Sequence, residues 1–328
     1  MHAVAVAETG GPEVLAYVDK PQPSPGAGEV VIRAEAIGVN YLDTYFRSGI
    51  YPAELPFVLG NEVAGTVSDV GAGVTALRVG DRVATAAATG AYAEYCTAPA
   101  SLVTQLPPAV DFDVAAAALL KGLTAHYLIK SVYPAQPGDT VLLHAGAGGV
   151  GLILTQWASS LGVRVLTTVS TPAKAELSRQ AGAVAVLDYP GAGDAGAAEF
   201  GTRVRGLTQG AGAAAVYDGV GAATFDASLA SLAVRGTLVL FGAASGPVAP
   251  VDPQRLNAAG SVYLTRPTLV HFTRTAQELS WRAGELFDAI ATGAVDVTVS
   301  RRYPLADAAQ AHRDLQGRET VGSIVLLP

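Results

Sequence analysis

The chain has 328 residues, a formal net charge of −7, and 50% hydrophobic against 15% charged residues. Such a composition suits a compact globular protein with room for two cores and excludes a disordered or repetitive one. The acidic balance weighs against general nucleic-acid binding, which needs clustered cations, and the single cysteine, Cys96, excludes an intrachain disulfide and a cysteine-rich zinc site and fits a reducing, cytoplasmic setting. No run reaches the ~18 apolar residues of a membrane span. The start Met1-His2-Ala3-Val4-Ala5 has no basic signal-peptide region, so no membrane partner is expected.

The first third reads as β-rich. Residues 4–7, 29–37, 64–70, 82–84 and 91–97 alternate or carry β-branched side chains, separated by Pro- and Gly-rich turns such as 21–26 and 71–73. A helical stretch over 113–133 leads out of this region. From residue 140, strands at 140–144, 163–169, 184–188, 214–217, 237–241 and 261–265 alternate with helices, which predicts a doubly wound parallel sheet covered on both faces. The Gly/Ala-rich 191–198 reads as a mobile loop. An amphipathic helix over 275–291, a short strand, a helix near 305–315 and a strand over 323–327 are expected to return to the first domain. The expected arrangement is a β-barrel-like domain of residues 1–121 and 262–328, split around a dinucleotide-binding domain of residues 122–261, with a ligand cleft where the chain crosses.

Residues 144–151, His-Ala-Gly-Ala-Gly-Gly-Val-Gly, carry the sharpest signal. They join a predicted strand to a predicted helix in the spacing Ala145-x-x-Gly148-x-x-Gly151, the frame that cradles a dinucleotide pyrophosphate. Gly146, Gly148 and Gly149 are expected to let the backbone approach the phosphates, and Gly151 to let helix and strand pack closely. The helix start supplies N–H donors and positive potential. In an NAD site an acidic residue ~20 positions on binds the ribose 2′-hydroxyl. Here the second strand runs into Ser170-Thr171-Pro172-Ala173-Lys174, with no carboxylate to repel a 2′-phosphate, which favours NADPH over NADH. A second reading stays open, in which Ser170 and Thr171 only cap a helix and Lys174 is solvated.

A set of stretches together resembles the quinone oxidoreductase (zeta-crystallin-like) branch of the medium-chain dehydrogenase/reductase superfamily, and most of all its bacterial NADPH:quinone reductases. They are Gly11-Pro12-Glu13-Val14-Leu15, Gly38-Val39-Asn40-Tyr41-Leu42-Asp43, Arg47-Ser48-Gly49-Ile50-Tyr51-Pro52 and Leu59-Gly60-Asn61-Glu62-Val63-Ala64-Gly65. Further on stand Val79-Gly80-Asp81-Arg82-Val83, Lys121-Gly122-Leu123-Thr124-Ala125, the 144–151 loop, Val216-Tyr217-Asp218-Gly219-Val220-Gly221 and Thr265-Arg266-Pro267. The resemblance implies an α/β protein in which a Rossmann doubly wound parallel sheet is inserted into a GroES-like β-barrel catalytic domain, and it implies a homodimer. It places Ala145, Gly148, Gly149, Val150 and Gly151 at the pyrophosphate, and Ser170, Lys174, Tyr189 and Arg318 around the 2′-phosphate. Phe241, Leu264 and Arg266 fall on the nicotinamide side; Asn40, Asp43, Tyr51 and Thr124 line the substrate. Gly219 stands where relatives often have Ser, which removes one hydroxyl contact.

The zinc-dependent members of the superfamily carry Cys and His ligands where this chain has Asn40 and Asn61, so no metal is expected. A quinone needs no Lewis acid, because the added charge spreads into an aromatic hydroquinone anion; an alcohol's carbonyl does. The expected activity is NADPH-dependent, zinc-independent quinone reduction, with Asn40 as a donor to the developing oxyanion and Tyr51 or water as proton source. Two rivals stay open: an enone or alkenal double-bond reductase on the same scaffold, and a dinucleotide-binding protein with a structural or nucleic-acid-binding role. Asn40 and Asp43 also suit a turn cap. Glu62 reads as a structural carboxylate beside a cation, Lys121 and Arg47 as solvated surface, and His144 as a packed strand end. His126, His271 and His312 lack metal-binding spacing, Cys96 reads as an inert buried thiol, and Tyr127, Trp157 and Trp281 as core.

Overall fold

The computed structural model describes residues 1–328 and divides into two compact units. The first holds Met1–Leu123, Thr273–Gly293 and Val297–Pro328; the second holds Thr124–Phe272 and Ala294–Asp296.

Unit 1 opens with β1 (His2–Val6), β2 (Leu15–Asp19) and β3 (Glu29–Gly38), then a short helix α1 (Tyr41–Arg47) absent from the sequence reading. Strands β4 (Phe57–Val58), β5 (Val63–Val70), β6 (Arg82–Thr85), β7 (Tyr95–Pro99) and β8 (Thr104–Gln105) follow, and α2 (Phe112–Tyr127) leaves unit 1 after Leu123, its last turn belonging to unit 2. β1 pairs antiparallel with both β2 and β4. β3 is the spine of the larger sheet: it is rich in β-branched residues, seven of its ten residues are buried, and it pairs with β5 and β7. Val30, Ile32, Ile37, Leu59, Val63, Val83 and Tyr92 share one core, each such side chain contributing about 1.5–3 kcal/mol on burial. The expected strand at 91–97 is displaced to Tyr95–Pro99. Ala91 and Tyr92 are buried ahead of it, in an irregular segment that donates from Ala91 N to Gly60 O and from Tyr92 N to Leu59 O.

Unit 2 holds β9 (Thr140–Leu143), α3 (Gly149–Ser160), β10 (Arg164–Val169), α4 (Pro172–Gln180), β11 (Ala185–Asp188), α5 (Gly193–Leu207) and β12 (Ala213–Asp218). It continues with α6 (Phe225–Ser231), β13 (Leu232–Leu240), α7 (Gln254–Ala258) and β14 (Tyr263–Thr265). Its six strands are parallel in the order β11-β10-β9-β12-β13-β14. The order reverses between β9 and β12, the point where a doubly wound sheet binds its ligand beyond the strands' carboxyl ends. Because β14 pairs with β13, unit 2 runs on to Phe272, whereas the sequence reading ends the nucleotide domain at 261. The segment 191–198 is also not wholly a loop. α5 begins at Gly193, since Ala197, Phe200 and Val204 bury one helical stripe.

The last part returns to unit 1 with α8 (Ala276–Ala291), β15 (Val299–Pro304), α9 (Ala308–Gln316) and β16 (Ser323–Leu327). Thr275 caps α8 by accepting from Glu278 N at 3.1 Å. Trp281 is not core: it is 44% exposed and donates to Glu285 Oε1, while Leu279, Ala283, Leu286 and Phe287 fill the buried stripe. β16 lies between β15 and β3, so the C-terminal strand completes the sheet begun near the N-terminus. The helical span Phe112–Val132 is long and apolar enough to cross a membrane by length and composition, but it is mostly buried within the protein, as core helices are.

Candidate active site

The loop after β9 is shaped by close backbone approaches. Ala145 is held in the left-handed region at φ 59°. Gly148 caps α3 in extended conformation with no side-chain cap, so the first-turn N–H groups have neither an intrahelical nor a side-chain partner. That is an anion cradle at the positive end of a helix. A Cβ on Gly151 would sit 2.2 Å from Ala145 O, so the first turn of the helix closes on the loop itself rather than on the strand. Gly146 has a different task from the expected one: a Cβ there would meet Thr167 Cβ of β10 at 2.5 Å, so it serves packing. Ala145, Gly148, Gly149, Val150 and Gly151 thus form one loop-and-turn surface that fits a pyrophosphate.

Other candidate cofactor residues stand in or just after four further strands of the same sheet. Ser170 is exposed just past β10; Thr171 caps α4 by accepting from Lys174 N at 3.3 Å. Lys174 stands in that first turn, and Tyr189 follows β11 with its ring parallel to that of His144, 6.3 Å away. Phe241 follows β13 and donates its N–H to Asp218 O at 2.9 Å. Leu264 lies in β14, and Arg266 just beyond it donates to Leu240 O at 3.0 Å. Gly219 has a steric reason: a Cβ there would lie 2.8 Å from the Phe241 ring.

His144 is buried as a packed strand end, and it is also the hub of a network the sequence does not reveal. Its Nδ1 is 2.9 Å from Thr168 Oγ1 and its Nε2 is 2.9 Å from Ser228 Oγ. Ser228 donates to Asp218 Oδ2 at 2.7 Å, and Asp218 Oδ1 accepts from Val220 N and Gly221 N. Burial holds the imidazole below its usual range, partly countered by the Asp218 charge. The ring is therefore neutral and locks the ends of β9, β10 and β12 together.

In unit 1, Asn40 is the N-cap of α1, and Asp43 three residues on accepts from Asn40 N at 2.8 Å. The Asn40 amide donates to Glu62 Oε2 at 2.7 Å. Glu62 is fully buried; it also accepts from Leu120 N at 2.7 Å and faces Lys121 Nζ at 3.4 Å. Lys121 and Arg47 are therefore not solvated: they are 7% and 2% exposed. Lys121 is the cation expected for Glu62. Arg47 donates to Gly10 O and Gln316 Oε1, and its Nη1 lies 2.9 Å from His312 Nδ1. Asp43 is fully buried, with Tyr92 Oη donating to its Oδ2 at 3.0 Å. Burial pushes Asp43 up to about 7, against the pull of Asn40 N–H, Tyr92 and Lys121. Tyr51 donates its N–H to Tyr45 O, and its ring packs on Tyr45 and Phe46. Arg318 follows α9 at φ 60°. Thr124 belongs to unit 2, buried and hydrogen-bonded to Tyr127.

The Glu62–Lys121 pair yields a direct expectation. Lys121→Met strands a buried carboxylate and is expected to cost about 3–5 kcal/mol in urea unfolding. Adding Glu62→Gln to it should recover a large part of that loss; no recovery would mean the pair is not the source of the cost.

Residues 149–288 match the zinc-binding dehydrogenase family and residues 26–108 the alcohol dehydrogenase GroES-like domain. The donor set here does not fit zinc. Asn40 and Asn61 present amides, and the Asn61 amide donates to Ala88 O at 3.3 Å. Cys96 is a buried thiol pushed up to about 12 by its apolar surroundings, and no group of three His, Cys, Asp or Glu side chains is placed to hold a metal ion. The chain is 47% identical over 327 residues to a quinone oxidoreductase of Pseudomonas aeruginosa, covering 99% of each. A mycobacterial structure complexed with NADPH superposes with a TM-score of 0.98 at 71% identity, and the Escherichia coli quinone oxidoreductase complexed with NADPH with 0.95 at 42%, each chain covered in full. Together with the GroES-like and doubly wound folds, this similarity places the chain in the quinone oxidoreductase branch of the medium-chain dehydrogenase/reductase superfamily.

Proposed function

We propose that the protein reduces quinones with NADPH and without a metal. The observation that carries this is the uncapped start of α3 at the point where the sheet order reverses, beside a β10 that is followed by Ser170 and not by an acid. The relatives, named quinone oxidoreductases, favour a quinone over an isolated enone or alkenal.

Ala145, Gly148, Gly149, Val150 and Gly151 hold the pyrophosphate of the cofactor; Ser170, Lys174, Tyr189 and Arg318 take the 2′-phosphate; Phe241, Leu264 and Arg266 flank the nicotinamide. When bound, NADPH supplies a hydride. Asn40, Asp43, Tyr51 and Thr124 orient the acceptor. An amide has two N–H groups; Glu62 engages one of Asn40, which fixes the plane of the amide, and the second is assigned to the acceptor's oxygen. No Lewis acid is required, because a quinone disperses the incoming charge into its ring. Tyr51 or water returns the proton. A homodimer and a cytoplasmic setting complete the proposal, supported by the edge position of β14, whose Tyr263 is exposed, and by a single buried cysteine.

The test is initial rates with a small para-quinone, with NADPH or NADH, with and without a chelator. Fast, chelator-insensitive turnover preferring NADPH is expected. Lys174→Ala should raise KM for NADPH about tenfold and leave NADH unaffected, the scale of one charge-assisted contact. Activity lost to the chelator, or a Lys174→Ala variant that weakens both cofactors equally, would overturn the metal-free chemistry or the phosphate assignment respectively.

A further inference from the structure

Four buried side chains of unit 1 form one hydrogen-bonded line: Arg47, His312, Tyr92 and Asp43. A guanidinium has only hydrogens to give, so His312 Nδ1 accepts from Arg47 at 2.9 Å and the ring proton sits on Nε2. That Nε2–H points at Tyr92 Oη, 3.0 Å away, and the phenol's own proton goes to Asp43 Oδ2, also at 3.0 Å. Every donor therefore faces the same way, from a fixed cation toward a carboxyl. At the end of the line Oδ2 has two donors, Asn40 N–H and Tyr92, while Oδ1 is buried with no partner. A brace for α1 alone has no use for an unpartnered buried oxygen, which costs about 1–3 kcal/mol; a group that must change its proton content does.

We propose that Arg47, His312 and Tyr92 are positioning residues for Asp43, a line of donors that carries the Arg47 charge toward its carboxyl and biases it toward the carboxylate. The other groups facing Asp43 are Lys121 from α2, which favours the carboxylate, and Glu62 from the turn before β5, which opposes it. His312 is a constant donor: burial first, and the Arg47 charge second, hold it down to about 3, so it does not charge near neutrality. Tyr92 is likewise pushed well above its ordinary range, mainly by burial and then by the Asp43 charge. Of the four side chains in the line, Asp43 is the one placed to change state near neutrality. The proposal rests on the assignment of Asp43 to the quinone site only where turnover is the readout.

The experiment is a pH titration of the Asp43 carboxyl carbon by NMR in the full chain carrying labelled aspartate, the signal being identified by its loss in Asp43→Asn. Tyr92→Phe keeps the ring that packs on His312 and removes the last donor. The midpoint is expected to rise by about one pH unit. His312→Leu should move it the same way, and His312→Gln, whose amide N–H can donate to Tyr92, should bring it back toward the native value. An unmoved midpoint in folded Tyr92→Phe and His312→Leu, with only their thermal stability lowered, would reduce the line to a structural brace and overturn the proposal. A moving midpoint in a protein that turns over no quinone would leave the relay standing and remove the quinone reading instead.

Discussion

Gly151→Ala is expected to weaken NADPH binding at least ~100-fold, while Gly148→Ala, three residues earlier, weakens it less than ~10-fold. The difference follows from what each new methyl group meets. At Gly151 it would lie 2.2 Å from Ala145 O and 2.9 Å from Gly146 C and O, all backbone atoms that no rotamer change can clear. The loop cannot yield softly either, because Ala145 already sits in the left-handed region, at a cost of about 1–2 kcal/mol. Relief must come from shifting the start of α3, and a displacement of ~1 Å in a positioned binding group is enough to lose ~100-fold. That corresponds to about 2.7 kcal/mol. At Gly148 the methyl group meets only Ala145 O at 3.3 Å, in an extended backbone any residue adopts. Titrating NADPH into each variant by calorimetry, with circular dichroism to verify folding, reads the contrast directly. Equal losses at both positions would show that the loop responds to any added bulk and that the close approach at Gly151 is not special.

What was legible in the sequence was local. The glycine loop, the alternation from residue 140 onward and the terminal strand are written in periodicity and turn chemistry, and they stand within a few residues of where the pattern puts them. α1 was invisible because its seven residues are too few to show a helical stripe. α5 was obscured by a Gly/Ala-rich start whose helical state depends on burying Phe200 and Val204 in the core of unit 2. The largest errors concern charge. Nothing within a helical turn of Arg47 or Lys121 explains why a cation should be buried there. Glu62 lies 59 residues from Lys121, and His312 lies 265 residues from Arg47. The first pair is made where α2 packs on the turn before β5, the second by the docking of α9 near α1, and no window along the chain contains either. The same holds for the His144–Ser228–Asp218 network: its members belong to separate elements, two strand ends and the middle of α6, and meet only once the parallel sheet is formed. Asn40 and Asp43 present a different case. Turn chemistry suggests a cap and the family resemblance implies a site role; the geometry shows the cap, with the amide of Asn40 turned to Glu62.

Asp43→Asn is expected to make the protein more stable than the native chain above neutral pH and no more stable below pH 5. The folded state holds Asp43's proton up to about pH 7, mainly because burial penalises the carboxylate, against an ordinary value of 3.8. Between those limits the native protein binds a proton that the unfolded chain has already released. Stability from this group is therefore fully present below pH 4 and is lost as pH rises toward 7. The gap corresponds to about 4 kcal/mol at most. Asparagine has nearly the same shape, its oxygen can accept from Asn40 N–H and Tyr92, and it never ionises. Its NH2 falls where Oδ1 lacks a partner and brings two N–H groups in place of the acid's single O–H, at a cost of about 1–3 kcal/mol relative to the protonated acid. The net expectation is a gain of about 1–3 kcal/mol at pH 8 and a small loss at pH 5, so that the two stability curves cross. Urea unfolding of both proteins at several pH values measures it, and parallel curves would show that Asp43 does not titrate in the fold. If Asp43 serves quinone reduction as proposed, the same substitution lowers turnover while raising stability, as removal of a strained functional group does. A variant that is both more stable at pH 8 and fully active would separate the carboxyl from the chemistry, leaving Asn40 and Tyr51 to orient the acceptor.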